Sequence, residues 1–123
     1  MKVHLPTDCG NAPRIQIVGQ FATDWAGQQL DQVTDWLHEE IVWEIVGEKT
    51  HEGPAAANEA LPGEVPEELN VNAIITHGRL ASCDGTLVYP NKVIEFSHVF
   101  RFASTGKTAK IKSIRTYLVE AAE

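Results

Sequence analysis

The sequence lacks any apolar run that approaches the ~20 residues a helix needs to cross a bilayer, so we expect no membrane contact. Its first residues, MKVHLPTDCGN, have no continuous apolar segment of the kind that secretory signals contain. There are only two cysteines, Cys9 and Cys83, and they form neither a CxxC pair nor a Cys/His zinc spacing. We therefore expect two free thiols in a reducing, cytoplasmic compartment.

The short motifs that indicate common catalytic and cofactor sites are also missing. The sequence has no Ser/His/Asp order, no Gly-rich phosphate loop and no zinc pattern. We therefore expect neither a bound metal nor a cofactor.

Basic residues are scarce in most of the chain. Residues 1–91 have 4 Lys and Arg against 14 Asp and Glu, whereas residues 92–123 have 6 against 3, and the net charge is −7. An acidic protein is repelled by phosphate backbones, so we expect no nucleic-acid partner. The basic C-terminal part is interpreted as strand lysines that keep a sheet in solution, with a local anion patch as the alternative.

The clearest structural pattern lies between Lys92 and Glu120, which predicts two long strands joined by a turn at Ala103–Lys107. Apolar residues alternate with others along the first strand with a period of two. One predicted face is aromatic and aliphatic and carries a single titratable group, His98. The residues of this face are Ile94, Phe96, His98, Phe100 and Phe102.

The N-terminal half predicts helices. Residues 1–11 are interpreted as a loose leader to a single domain over residues 1–123. Pro13 opens a helix whose apolar stripe ends at Trp25, and a second helix is predicted over residues 29–37. The β-branched run at 41–46, IVWEIV, predicts the first strand, and a short helix follows Pro54.

A further long strand is predicted over residues 69–82. Val71, Ala73, Ile75, His77 and Arg79 share the face that we place inward. Within this strand the glycine at 78 suggests a bulge or a close backbone approach, and the Asp-Gly pair at 84–85 predicts a hairpin turn before a short strand at 86–89. The element order predicts an α+β fold in which N-terminal helices pack in the concave face of a curved, mostly antiparallel sheet.

The sequence resembles the nuclear-transport-factor-two-like superfamily, which includes ketosteroid isomerases and SnoaL-like polyketide cyclases. The resembling segments are Val42–Gly47, His51–Gly53, Phe100–Phe102, Gly106-Lys107 and Ser113–Arg115. Together with the element order, they cover nearly the whole chain from about residue 13. The resemblance implies a cystatin-like, cone-shaped fold with a small-molecule cavity between helices and sheet.

The resemblance also implies two catalytic positions. Ketosteroid isomerases have a general base two residues before a Val-Gly, where this chain has Glu44, and an oxyanion donor two residues before a Phe-Arg-Phe, where it has His98. The tyrosine that these enzymes have on the first helix is missing, because the matching region is Gln20-Phe21. We predict that Glu44 and His98 face each other across one apolar cavity as base and charge-stabilising group.

Further residues are predicted to line the same cavity. His77 and Arg79 are interpreted as a polar wall, and metal binding by the two histidines with Glu44 is a weaker alternative. An aromatic lining suits a flat or alicyclic ligand, with plain core packing as the alternative. The aromatic candidates are Phe21, Trp25, Phe96 and Phe100, with Phe102 beside them.

Three functions remain open from the sequence: an acid–base isomerase, cyclase or dehydratase for a small apolar substrate, a non-catalytic small-molecule-binding protein, and a dimerisation domain. An epoxide hydrolase of this superfamily needs an Asp–Arg–Asp relay, which we cannot assemble from these residues. We expect a homodimer through the convex sheet face. Its apolar residues are predicted to be Val93, Val99, Ile114 and Leu118.

Overall fold

A computed structural model describes residues 1–7, 10 and 12–122 of the chain. Its helices are α1 (Pro13–Ala26), α2 (Leu30–Asp35) and α3 (Ala56–Ala60). Its strands are β1 (Lys2–His4), β2 (Leu37–Ile45), β3 (Thr50–Glu52), β4 (Glu68–His77), β5 (Leu80–Tyr89), β6 (Lys92–Phe102) and β7 (Ile111–Glu120). Within this part of the chain, no helix is long and apolar enough to span a membrane.

The seven strands form one curved sheet in the order β1-β4-β5-β6-β7-β2-β3, and the helices lie on its concave face. The strands β4 to β7 form an antiparallel meander. Two flanking pairs, β1–β4 and β2–β7, are parallel. The predicted α+β class and mostly antiparallel sheet are therefore confirmed.

Residues 2–4 form a strand rather than part of a loose leader. Lys2–His4 pairs with β4, and the imidazole of His4 lies 3.1 Å from the carboxylate of Glu68. The prediction for residues 1–11 is wrong for this strand. Of the two predicted free thiols, Cys83 is free and buried, while Cys9 lies outside the described residues.

The helix α1 begins at Pro13 because a proline in the first turn sacrifices no hydrogen bond. Its apolar stripe is buried, and the rings of Phe21 and Trp25 contact those of Phe100 and Phe96 on β6. Burial of one such large side chain stabilises the fold by about 1.5–3 kcal/mol. The buried residues of the stripe are Val18, Phe21, Ala22, Trp25 and Ala26.

The predicted face of β6 is also correct, since Phe96, His98, Phe100 and Phe102 are all buried. The loop after β6 is fixed to α1 by Arg14. The guanidinium of Arg14 donates hydrogen bonds to the carbonyls of Ser104 and Gly106 and lies 3.8 Å from the centre of the Phe102 ring.

The inward face of β4 was predicted incorrectly after Val71. Asn72 is an extra residue opposite β5, because Val71 pairs with Gly85 and Ala73 pairs with Asp84. Such a bulge moves every later side chain to the other face of the strand. Ile74 is consequently buried, whereas the later odd-numbered residues predicted to face inward, Ile75, His77 and Arg79, are exposed.

Two glycines also exchange their predicted roles. The β4–β5 turn lies at Gly78, which has a φ of 59°, and the following Arg79. Gly85 lies inside β5 beside the bulge, where a Cβ atom would come within 1.8 Å of the Asn70 carbonyl oxygen. The predicted single strand over residues 69–82 is therefore two strands.

A second bulge changes the predicted outer face of β7. Arg101 pairs with Ser113 and Phe102 with Ile111, so Lys112 is an extra residue. Ile114 is paired with Phe100 and lies on the inner face, and so does Leu118, the partner of Phe96. The prediction that Ile114 and Leu118 cover the convex face is therefore wrong, whereas Val93 and Val99 do lie on that face.

Candidate functional site

The candidate site is a pocket of about 730 Å³ at the open end of the curved sheet, which we call the main pocket. Four parts of the chain form its walls: the β2–β3 connection, α3 with the segment that follows it, the β5–β6 hairpin and the end of β7. Its lining residues are Trp25, Ile45, Glu48, Lys49, His51, Glu59 to Glu64, Leu87, Tyr89, Lys92, Ile94 and Leu118.

The floor of the main pocket is apolar because it consists of inward side chains of the sheet. Leu87 and Ile94 are register partners on β5 and β6, and Leu118 lies opposite Phe96. Ile45 and Trp25 complete this surface. Such a floor removes apolar ligand surface from water, which is the main source of small-molecule affinity.

The rim of the main pocket is charged. Glu48, Lys49, Glu59, Glu64 and Lys92 contribute carboxylates and ammonium groups, and none of them forms an ion pair in the part of the chain that the structure describes. These groups are free to bind polar atoms of a ligand that enters the pocket.

His51 is the histidine of this rim, and its position follows from strand register. It pairs with Trp43, whose indole ring faces the core, and antiparallel partners lie on the same face of a sheet. Its imidazole is half-buried in the pocket wall. In the sequence this position begins the resembling segment His51–Gly53, and the short THE segment forms β3.

Tyr89 lines the main pocket between its apolar floor and its charged rim. Its part-buried hydroxyl donates a hydrogen bond of 2.9 Å to the backbone carbonyl of Glu64, and Lys92 Nζ lies 5.4 Å from the centre of its ring. Burial raises the pKa of the Tyr89 phenol above its usual value, and the negative charge of Glu64 raises it further. The phenol therefore remains a protonated hydrogen-bond donor.

His98 lies in the core, behind Trp25, and does not line the main pocket. Four aromatic rings surround its imidazole, and the nearest, that of Trp25, lies edge to face at 4.3 Å between ring centroids. The other rings belong to Phe21, Phe96 and Phe100. Desolvation lowers the pKa of His98 to about 3, so the imidazole is neutral near pH 7.

The tautomer of His98 follows from its hydrogen bonds. Trp43 Nε1, which can only donate, lies 2.8 Å from Thr116 Oγ1, and His98 Nδ1 also lies 2.8 Å from that oxygen. All three groups are satisfied when the Thr116 hydroxyl donates to Nδ1. The proton of the neutral imidazole then lies on Nε2, which has no partner among the described residues.

Glu44 lies on the other side of the sheet. Its neighbours Trp43 and Ile45 face the core, and Glu44 itself pairs in register with the exposed Arg115. The prediction that Glu44 and His98 face each other across one cavity is therefore wrong. The physical reason is strand alternation, since the only charge in an apolar run is placed on the face that retains contact with water.

The predicted binding residues are divided among three environments. Trp25 lines the main pocket. Phe21, Phe96 and Phe100 are core residues that enclose His98. His77 and Arg79 are exposed at the β4–β5 end of the sheet, outside the main pocket.

The thiol of Cys83 belongs to the core as well, and burial raises its pKa to about 12. It is therefore a neutral, unreactive thiol at physiological pH. Among the described residues, no three His, Cys, Asp or Glu side chains are grouped in a way that could hold a metal ion.

No protein-family model and no curated protein matches the chain. Similar solved structures include an NTF2-like protein of unknown function from Burkholderia xenovorans LB400, which is 14% identical with a TM-score of 0.73 over 90% of this chain and 85% of that chain. A steroid delta-isomerase from Pseudomonas aeruginosa is 13% identical with a TM-score of 0.66, over 89% of this chain and 81% of that chain.

A third similar structure is a LEH-like epoxide hydrolase from M. tuberculosis. It is 21% identical with a TM-score of 0.63, over 87% of this chain and 83% of that chain. At these identities the similarity concerns the fold. The chain thus has the nuclear-transport-factor-two-like fold, an α+β cone in which helices pack in the concave face of a curved, mostly antiparallel sheet.

Proposed function

We propose that this protein binds a small, mostly apolar molecule in the main pocket, with a polar end of that molecule at the charged rim. The pocket itself is the observation that carries the proposal. Its volume of about 730 Å³ is within the range of ~300–1,000 Å³ that small-molecule sites occupy. The floor supplies apolar contact, while the unpaired charges of the rim supply orientation.

Binding is better supported than proton transfer by the predicted pair. A general base and an acid must both reach the same substrate. Glu44 lies on the outer face of the sheet, and the neutral imidazole of His98 lies behind Trp25. An epoxide-hydrolase relay is not supported either, because the described lining of the main pocket includes no Asp and no Arg.

The proposal is tested with two fluorescent probes that share their aromatic rings, anionic anilinonaphthalene sulfonate and neutral phenylnaphthylamine. Leu118→Trp places a large ring over the pocket floor, and we expect it to weaken binding of both probes at least tenfold, equivalent to about 1.4 kcal/mol. Val119→Trp is the matched control, because the adjacent side chain points to the opposite face.

Titrations of the wild type and the two variants distinguish the possible results. Saturable binding that Leu118→Trp weakens and Val119→Trp preserves supports the main pocket as the site. Equal effects of the two substitutions, or no saturable binding of either probe, contradict the proposal. A preference for the anionic over the neutral probe would assign the polar contacts to Lys49 and Lys92.

A further inference from the structure

One wall of the main pocket is formed by residues 61–64, the first part of a segment without regular structure between α3 and β4 that spans residues 61–67. Two prolines, Pro62 and Pro66, provide no backbone N–H group. Within the described chain, no backbone-to-backbone hydrogen bond outside a helix or strand involves residues 62–66. Regular pairing begins at Glu67, whose carbonyl accepts from Lys2 and whose amide donates to Val88.

Side chains fix this segment instead. Three alternate backbone carbonyls, at residues 60, 62 and 64, each accept a hydrogen bond from the body of the fold. Trp25 Nε1 donates to Ala60 at 2.9 Å, Gln28 Nε2 to Pro62 at 2.6 Å, and the Tyr89 hydroxyl to Glu64 at 2.9 Å. The ends of the segment pack on the core, because Leu61 contacts it and Pro66 is buried. Single hydrogen bonds that can break independently of the core hold the part between them, residues 62–65.

Gln28, which donates one of these hydrogen bonds, has an unusual backbone conformation. Its φ of 57° makes it the non-glycine residue with a left-handed conformation in the described part of the chain. This conformation is disfavoured for a residue with a Cβ atom, and it occurs where the surrounding structure requires it. Here it directs the amide of Gln28 towards Pro62.

We infer that residues 62–65 form a gate of the main pocket and that Gln28 and Tyr89 are the positioning residues that hold the gate closed. The inference rests on the proposed function only in that a ligand passes the gate; opening of the segment itself does not depend on ligand binding. Trp25 reports on the end of the gate next to α3, because its indole N–H is bonded to Ala60 while its ring lines the pocket.

The first test needs no ligand. Exchange of the indole N–H of Trp25 with solvent is measured by NMR, with the indole N–H of Trp43, bonded to Thr116 in the core, as the internal control. Tyr89→Phe removes one bond and keeps the ring. Gln28→Asn shortens the other side chain but tolerates the left-handed backbone.

We expect each substitution to accelerate exchange at Trp25 about fivefold, the equivalent of one hydrogen bond, and to leave Trp43 unchanged. Tyr117→Phe is the matched control, since Tyr117 lies on the outer face in register with Ser97. No acceleration at Trp25, or equal acceleration at both indoles, would overturn the gate, the second because it indicates general loosening of the fold.

The second test uses stopped-flow binding of anilinonaphthalene sulfonate. A gate predicts that Gln28→Asn, at a residue outside the pocket lining, raises the association and dissociation rates together, by about fivefold, with the dissociation constant changed by less than about twofold. A rise in the dissociation rate alone overturns the gate, because Gln28 would then stabilise the bound state rather than the closed segment. If the wild type binds no probe, the proposed function fails while indole exchange still decides the gate.

Discussion

His98 is a buried polar residue with one ring nitrogen, Nε2, that has no partner among the described residues. A buried donor without an acceptor costs about 1–3 kcal/mol. The imidazole lies edge to face against the Trp25 ring, at 4.3 Å between centroids. The bond to Thr116, itself fixed by Trp43, holds the neutral tautomer in place.

This environment predicts a dependence of stability on pH. The folded state keeps His98 neutral down to a pKa of about 3, whereas the unfolded chain takes up a proton near the ordinary histidine value. The titration of His98 therefore leaves the free energy of unfolding unchanged above the unfolded pKa of ~6.5 and lowers it as pH falls from there towards 3. We expect a loss of about 2 kcal/mol between pH ~7 and pH ~5.

Urea unfolding at the two pH values measures this loss. His98→Phe should abolish most of the difference, because it removes the titrating group from the core. His77→Asn is the control, since His77 is exposed at the end of β4. Equal pH dependence in the wild type and His98→Phe would show that other groups cause it.

At the scale of single elements, the sequence predicts most reliably those segments whose periodicity is uninterrupted. The stripe of α1 and the alternation of β6 each continue over the whole element, and both are confirmed. In β4 and β7 a single extra residue, Asn72 or Lys112, inverts the faces of all later residues. The amino-acid pattern does not mark such an insertion, so the predicted environments of His77, Arg79 and Ile114 were wrong.

The candidate site was less predictable than the fold for a related reason. Trp25 was predicted because it belongs to the stripe of α1. His51 and Glu64 lie in short or irregular segments and Lys92 is the first residue of β6, and their approach to one another depends on how the loops and hairpins around the pocket are arranged. The periodicity of apolar residues does not predict how loops and hairpins are arranged around the pocket.

Gly85 provides a direct test of the bulge in β4. A Cβ atom at this position would be 1.8 Å from the Asn70 carbonyl oxygen, so Gly85→Ala requires backbone movement in two strands. We expect a loss of about 3 kcal/mol in the free energy of unfolding, typical of overpacking in a rigid site. Gly63→Ala is the control, because nothing lies within 4 Å of its added methyl group. Chemical denaturation of both variants measures the difference, and equal stabilities would contradict the register.

At the scale of the whole molecule, the two faces of the sheet have separate roles. The concave face contains the core and the main pocket, and all three helices of the described chain pack on that face rather than on the outer one. A row of register partners crosses this outer face from β4 to β2: Ile75, Ser82, Val99, Arg115 and Glu44. Ile75 is 64% exposed, and on β7 Val119 is 60% exposed.

The composition of this surface favours a second copy of the chain as its partner. Exposed apolar side chains of this size gain from burial. The outer face also has both Arg115 and Glu44, and a two-fold axis can bring groups of opposite charge from the two copies together. We therefore expect a homodimer through the outer face, with Val119 and Tyr117 in place of the Ile114 and Leu118 first predicted for it.

Neighbouring residues on β7 allow a sharp test of this dimer. Val119→Glu places a carboxylate on the outer face, next to Glu95 in register, and burial of both charges without partners is unfavourable. We expect sedimentation velocity at tens of micromolar to give a dimer for the wild type and a monomer for Val119→Glu. Leu118→Glu is the control, because the same charge one residue earlier faces the main pocket and should weaken probe binding while the dimer persists. A monomeric wild type, or loss of the dimer in both variants, would exclude the outer face as the interface.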